Sequence, residues 1–340
     1  MSHNRWMIEP VFENGEALTK GFLSDHELQQ GIRMGEFKDL GFQSAGWING
    51  TWRSFWRPII PMEVNNLRGP AELWGCIASN LFTATRAWQL KELKHADQEK
   101  FADILDDRSV EERLAQAISL SLRSMDHAVE QIAEHYNEQL VNRMYSGEVD
   151  GMRSSNTMDQ NLFAHVHSFF LQLGSARDYL AAFISNRLGM NAGHGKVDTM
   201  NALKSKLRAN HVEQEPLLGL LVEKGWLVAR QDEASSWDVA GWLTEITELR
   251  NEIVHRRPYG SVYAERFGWV VPVRPDLGLY RYFRPIQIKN KPERDLLDTI
   301  DVHYSTCTAL FFEAAKATTL DTTMVTITGD DIVSLELAQS

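Results

Sequence analysis

The sequence has very little cysteine. Cys76 and Cys307 are its only two in 340 residues, and they are far apart in the chain. This excludes a disulfide framework and a zinc knuckle, and it leaves two free, buried thiols as the expectation. We therefore expect neither a metal ion nor any other cofactor.

Long apolar runs and an excess of basic charge are also lacking. No stretch reaches the 18 apolar residues of a membrane span, and the first residues lead into no apolar signal core. We therefore expect a cytoplasmic protein that does not bind membranes. With 35 Lys and Arg against 46 Asp and Glu, the net charge is −11. Such a charge argues against unspecific nucleic-acid binding over the whole surface, so any nucleic-acid site has to be a local basic patch.

Apolar residues at three- and four-residue steps predict a mainly α protein. A helix should begin at Pro70, and the capping box Ser109-x-x-Glu112 should open a long second one. The pattern predicts further helices over 162–183, 197–208 and 215–225, one from Ser235 or Ser236 to about His255, and a last one from Pro292 to about 317.

The predicted fold is an antiparallel helical bundle over residues 109–318, with a β-prone insert at 259–291 before its last helix. Residues 1–108 are expected to form an irregular and partly helical extension, with a short helix from Ser24 to Arg33. The tail, 319–340, is expected to form a small β-hairpin. Three Trp within residues 47–56 bind sugars or bases in some proteins, but such clusters more often fill a core.

The stretch Leu249–Pro258 combines reactive side chains with a fixed spacing. On an α-helical wheel of roughly 100° per residue, Asn251 and His255 share a face almost opposite the apolar stripe, and Arg250 flanks that stripe. Arg, Asn and His together can donate, orient and exchange protons near neutral pH. The alternative interpretation is an ordinary solvated face of a bundle helix.

A basic, aromatic-rich segment follows this stretch. Residues 250–291 hold seven Arg and two Lys against three carboxylates, a net charge of +6. Cations for phosphates and rings for splayed bases are what single-stranded RNA requires. The candidate RNA-binding residues are Arg256, Arg257, Tyr259, Arg266, Arg281 and Arg284. The alternative is an aromatic-packed hairpin with solvated arginines.

The motif Arg250-Asn251-Glu252-Ile253-Val254-His255 resembles the R-x(4–6)-H signature of HEPN-domain proteins. The resemblance implies a homodimeric endoribonuclease that needs no metal and is often part of a toxin–antitoxin or anti-phage system, where a neutralising partner protein is one possible partner. It also implies roles. Arg250 would stabilise charge on the scissile phosphate, Asn251 would hold the imidazole or a phosphate oxygen, and His255 would act as general acid or base.

Many members of that family have lost catalysis. The alternative function is therefore an inactive HEPN-like helical module for dimerisation or sensing.

Overall fold

Long helices form where apolar residues recur at three- and four-residue steps. In the computed structural model of the protein, helices α1 to α9 span Pro70–Phe82, Gln98–Asp106, Val110–Ser146, Asp159–Arg187, Met200–Lys204, His211–Gln214, Pro216–Glu223, Gly241–Arg250 and Leu296–Ala317. Strands β1 to β10 span Phe12–Glu13, Glu16–Ala17, Leu40–Ile48, Thr51–Pro58, Leu227–Ala229, Trp237–Val239, Trp269–Arg274, Leu279–Phe283, Pro285–Ile286 and Arg294–Asp295. The strands pair two by two and antiparallel, each with its neighbour in the chain. The prediction of a mainly helical fold is confirmed.

The structure describes residues 60–63, 68–87, 89, 98–190, 197–230, 236–274, 279–288 and 292–324, together with the backbone of β1 to β4. The helix predicted for residues 24–33 and the hairpin predicted for the C-terminal tail lie outside these ranges. Within them, no helix combines the length and the apolar character needed to cross a bilayer. Both described cysteines are free, Cys307 buried and Cys76 half-buried.

The long helix α3 begins where the capping box predicts. The hydroxyl of Ser109 accepts a hydrogen bond from the backbone N–H of Glu112 at 3.1 Å, which satisfies one unpaired donor of the first turn. The predicted apolar stripe is buried at Ile118, Met125 and Val129, each with no exposed surface. Sequence periodicity and capping chemistry therefore identified this element correctly.

Three local predictions differ from the structure. Residues 40–58 are not irregular, because β3 and β4 pair from Leu40 with Pro58 to Ile48 with Thr51. The helix predicted from Ser235 or Ser236 begins at Gly241, because the preceding Trp237–Val239 pairs with β5. The last helix begins at Leu296 because Arg294–Asp295 pairs with β9. In the last two cases a short strand occupies residues that have helical periodicity.

The chain divides into two compact units, each assembled from separate parts of the sequence. Unit 1 comprises residues 1–60, 124–173 and 245–307, and unit 2 comprises 61–123, 174–244 and 308–340. These units are interleaved along the chain. The ranges predicted from the sequence, 1–108, 109–318 and 319–340, instead follow one another.

The core of unit 2 is centred on Trp74, which is fully buried. Its ring meets that of Phe183 edge-on at a centroid distance of 5.1 Å, and its indole N–H donates to the carbonyl oxygen of Phe311 at 2.9 Å. Burying an indole ring stabilises a core through its large apolar surface. Its N–H group is left without a partner unless it donates to an acceptor such as this carbonyl oxygen. The helix that begins at Pro70 is thereby fixed within its unit.

The core of unit 1 combines apolar helix faces with buried polar contacts. The hydroxyl of Tyr304 donates to Asp126 at 2.9 Å, and that of Tyr136 donates to Asp295 at 2.8 Å. Each bond joins α9 or its preceding strand to α3, so these elements are tied by directional contacts as well as by apolar packing. This unit contains the Arg250–His255 motif.

Candidate functional site

The Arg250–His255 motif lies where an α-helix changes its winding. Helix α8 ends at Arg250, and Asn251–Arg256 continue as a π-helical turn. The backbone N–H of Arg257 donates to the carbonyl oxygen of Glu252, five residues back, at 2.6 Å. In a π-helix, residues five apart are about one turn apart, and such turns are frequent at functional sites. Arg250 precedes this turn, and Asn251 and His255 belong to it.

The α-helical wheel does not apply to the whole motif. At 100° per residue, a five-residue step separates two side chains by about 140°. Because Asn251–Arg256 wind as a π-helix, the angle between Arg250 and His255 differs from that value.

The two faces of this helix end differ in exposure. Leu249 and Ile253 are buried, as predicted for the apolar stripe. His255 is exposed, whereas Asn251 and Arg250 are half-buried. Of the three motif residues, only His255 is thus exposed.

The Nε atom of Arg250 is buried and has no hydrogen-bond partner among the described residues, and the same holds for the Nε atoms of five other arginines among them. Buried polar atoms in proteins are almost always paired, so an unpaired one calls for an explanation.

Glu252 holds the two arginines that follow the motif. Its carboxylate lies 3.4 Å from Arg257 and 3.9 Å from Arg256. Arg257 also donates to the carbonyl oxygen of Gln287, so its guanidinium has a structural role. Arg256 has 71% of its side chain exposed, and it remains available to a ligand.

Three of the predicted RNA-binding residues are buried instead. Relative exposure is 5% for Tyr259, 4% for Arg281 and 0% for Arg284, so these side chains are not accessible to RNA in this structure, contrary to what the prediction requires. Tyr259 donates its hydroxyl hydrogen to the carbonyl oxygen of Pro285 at 3.1 Å. Arg266 is exposed, with its Nε donating to the carbonyl oxygen of Gly260 at 3.0 Å.

The two buried arginines are neutralised by carboxylates distant in sequence. Arg281 lies 2.6 Å from Asp295 and 3.2 Å from Asp298, and Arg284 lies 2.9 Å from Asp159. Arginines between aromatic residues look alike in sequence whether they serve RNA or a buried ion pair. The partner carboxylates distinguish the two cases, and no local pattern identifies them.

Gly260 fixes the loop that follows the motif. Its φ is +84°, and a Cβ atom there would lie 2.8 Å from the ring of Phe163. The buried carboxylate of Glu265 accepts hydrogen bonds from the backbone N–H groups of Gly260 and Gln287, at 3.0 and 3.2 Å. The chain leaving the π-turn is therefore held in one course.

Replacing Gly260 with alanine is expected to lower the free energy of unfolding by about 2–4 kcal/mol. The new methyl group would combine left-handed backbone strain with a collision against Phe163. Gly147 is the matched control, because its φ is +76° and a Cβ there would contact nothing within 4 Å. Gly147→Ala should cost only about 1 kcal/mol in urea denaturation, through backbone strain alone. Equal losses in the two variants would contradict the role of Phe163.

His135 is a buried histidine of this unit, with 8% relative exposure. Burial, together with the positive charge of Arg284, lowers the pKa of His135 to about 4, although Asp159 acts in the opposite direction. The imidazole is therefore neutral at physiological pH, and it belongs to the core rather than to the exposed site.

The fold should lose stability in acid because of His135. Its pKa is 6.5 when unfolded and about 4 when folded, so between these values only the unfolded chain takes up the proton. The contribution is complete above pH 6.5 and falls by about 3 kcal/mol as the pH drops toward 4. Urea denaturation across this pH range should show that the free energy of unfolding falls by about 3 kcal/mol less in His135→Gln than in the wild type. His255→Gln, at an exposed position, should follow the wild-type curve.

The described residues include no group of three or more His, Cys, Asp and Glu arranged to hold a metal ion.

No family model matches the chain, and no match is found among curated proteins or solved structures. The site is therefore defined by its own residues: an Arg at the end of α8, and an Asn and an exposed His on the π-helical turn that follows.

Proposed function

We propose that the protein is an endoribonuclease of the HEPN type that acts as a homodimer and uses no metal ion, as a toxin or an anti-phage effector. The observation that supports the proposal is the π-helical turn at the end of α8. Arg250 is the last residue of α8, its Nε has no partner among the described residues, and the exposed His255 lies on the turn that follows. A cation and a proton carrier on one helix end suit a phosphodiester whose charge grows during reaction.

The reaction would proceed through the 2′-hydroxyl of the RNA. His255 of one protomer takes the proton from the 2′-oxygen, which attacks the adjacent phosphorus. The bond from phosphorus to the 5′-oxygen breaks, giving a 2′,3′-cyclic phosphate and a 5′-hydroxyl. Arg250 stabilises the phosphate oxygens, and Asn251 orients the imidazole or a phosphate oxygen.

This route needs a base at the 2′-oxygen and an acid at the 5′-oxygen. Each protomer supplies one His255, so a two-fold pair of motifs supplies both groups. Arg256 and Arg266 are exposed near this turn in sequence, and they are the cations best suited to bind flanking phosphates. The RNA would thus lie in a cleft between two copies of the chain.

The test uses purified wild-type protein and one labelled sequence prepared as RNA, as DNA and as 2′-O-methyl RNA. We expect cleavage of the RNA alone, unaffected by EDTA, with 2′,3′-cyclic phosphate and 5′-hydroxyl ends. Loss of cleavage in EDTA, cleavage of the DNA, or 5′-phosphate ends would each contradict the proposal. Sedimentation of the same preparation should give a dimer.

The burial of Arg281 and Arg284 favours a second candidate function. Two of the cations expected to bind RNA are used in the core, so the accessible positive charge is smaller than the sequence suggests. A HEPN-like dimerisation or sensing module without catalysis needs no such charge. A dimer that leaves every RNA intact would support this candidate.

A further inference from the structure

A second concave site lies entirely within unit 2. It is a cleft of about 740 Å³ beside the end of α4, the chain that follows α5, and the paired strands β5 and β6. Pockets that bind small molecules usually measure about 300–1,000 Å³. The cleft is therefore of a size that holds one small ligand.

Positive charge dominates the walls of the cleft. Its described lining includes no carboxylate, and its basic side chains are Lys204, Lys206, Arg208, His211 and Arg230. The chain as a whole has a net charge of −11, so this concentration of cations runs against the overall balance. Cationic concave surfaces raise the local concentration of anions.

Asp238, which follows the lining residue Trp237 in β6, fixes two of these cations. Its carboxylate accepts hydrogen bonds from Arg230 at 2.8 Å and from Lys204 at 3.3 Å. The hydrogen bond from Arg230, followed by that from Lys204, lowers the pKa of Asp238 to about 2. The carboxylate therefore orients both cations at the edge of the cleft.

The cleft also offers a neutral donor and an aromatic face. The Nδ1 atom of His211 accepts a hydrogen bond from the backbone N–H of Arg208 at 3.1 Å, so the neutral ring carries its hydrogen on Nε2 and can donate there. Trp237 lines the same cleft and is half-exposed. A tryptophan face beside cations is a platform on which nucleobases stack.

We propose that this cleft binds a nucleotide, with its phosphates on Lys206 and Arg208 and its base against Trp237. The ligand class follows from the combination of cations, an aromatic face and a volume suited to one small molecule. The site is separate from the Arg250–His255 motif in sequence and lies in the other unit. Its occupancy is independent of the proposed cleavage reaction.

Calorimetric titration with AMP, ATP and inorganic phosphate tests the proposal. Wild type should bind ATP more tightly than phosphate, at one site per chain. Lys206→Ala/Arg208→Ala should weaken ATP binding at least about tenfold, as expected when charge-assisted bonds are lost. Arg113→Ala/Arg123→Ala removes the same charge at exposed positions of unit 2, and it should change the Kd less than about twofold.

A second variant tests the aromatic part of the site. Trp237→Leu should weaken AMP at least about fivefold and leave phosphate unchanged, because stacking involves the base alone. Circular dichroism checks that each variant is folded. The Lys206/Arg208 double variant tests the phosphate contacts on its own, even if Trp237→Leu does not fold.

Four results would overturn the assignment. The first three are absence of ATP binding at about 1 mM, an unchanged Kd for ATP in the Lys206/Arg208 double variant, and AMP binding by folded Trp237→Leu that equals that of the wild type. The fourth is tighter binding of single-stranded RNA than of ATP by the same cations, measured on His255→Ala to prevent cleavage. That result would assign the cleft to an RNA strand. None of these binding measurements depends on whether the protein cleaves RNA.

Discussion

His255→Ala is expected to cleave RNA about 10³ times more slowly than wild type, because general acid–base catalysis contributes about 10²–10⁴-fold. The loss should appear in kcat, with a smaller change in KM, since proton transfer occurs in the transition state. The measurement is single-turnover cleavage of one labelled RNA across a pH series. His127→Ala is the control, because that ring is 66% exposed on helix α3 of the same unit.

Arg250 should behave differently from His255. Arg250→Ala is expected to lower the rate about 10²–10³-fold through loss of charge stabilisation. Arg250→Lys should recover only part of that loss, since an ammonium group lacks the planar pair of donors that a phosphate accepts. Arg113→Ala is the exposed control. If the histidine and arginine variants cut at the wild-type rate, any nuclease activity belongs to other residues or to a contaminant.

Arg284→Met is expected to lower the free energy of unfolding by about 3–5 kcal/mol, as does breaking a buried ion pair from one side. Arg284 has no exposed surface and lies 2.9 Å from Asp159, whose side chain is 4% exposed. The substitution leaves that carboxylate buried without its cation. Urea denaturation followed by circular dichroism measures the loss.

Two companion variants separate the buried pair from its alternatives. Arg284→Met/Asp159→Asn should recover part of the stability, because no uncompensated charge remains. Arg266→Met, at an exposed arginine of the same segment, should cost less than about 1 kcal/mol. A stable Arg284→Met protein that binds RNA weakly would instead support Arg284 as an RNA contact.

The structural features that could be predicted from the sequence are those that depend on residues close together in the chain. The capping box at Ser109 placed the start of α3 correctly, and the apolar steps located α1, α4 and α9. The strand pair ending at Ile48 and Thr51 had a local signal as well. The two residues between these strands are Asn49 and Gly50, the dipeptide preferred in two-residue hairpin loops.

What the sequence could not provide depends on distant partners. Arg281 and Arg284 are buried because Asp295 and Asp159 reach them, one 14 and the other 125 positions away. Asp238 likewise fixes Arg230 and Lys204 only once β5 and β6 have paired. The cleft of unit 2 therefore appears only in the folded chain.

One apolar stripe crosses the change of winding at the end of α8. Leu249 is buried in α8 and Ile253 is buried in the π-helical turn, while Ile246 is buried one turn earlier. The turn is therefore anchored to the core of unit 1 although its winding differs from that of the helix before it. His255 and Arg256 are exposed on the same turn, so a side chain that a ligand could reach is carried by a segment that is itself packed against the core.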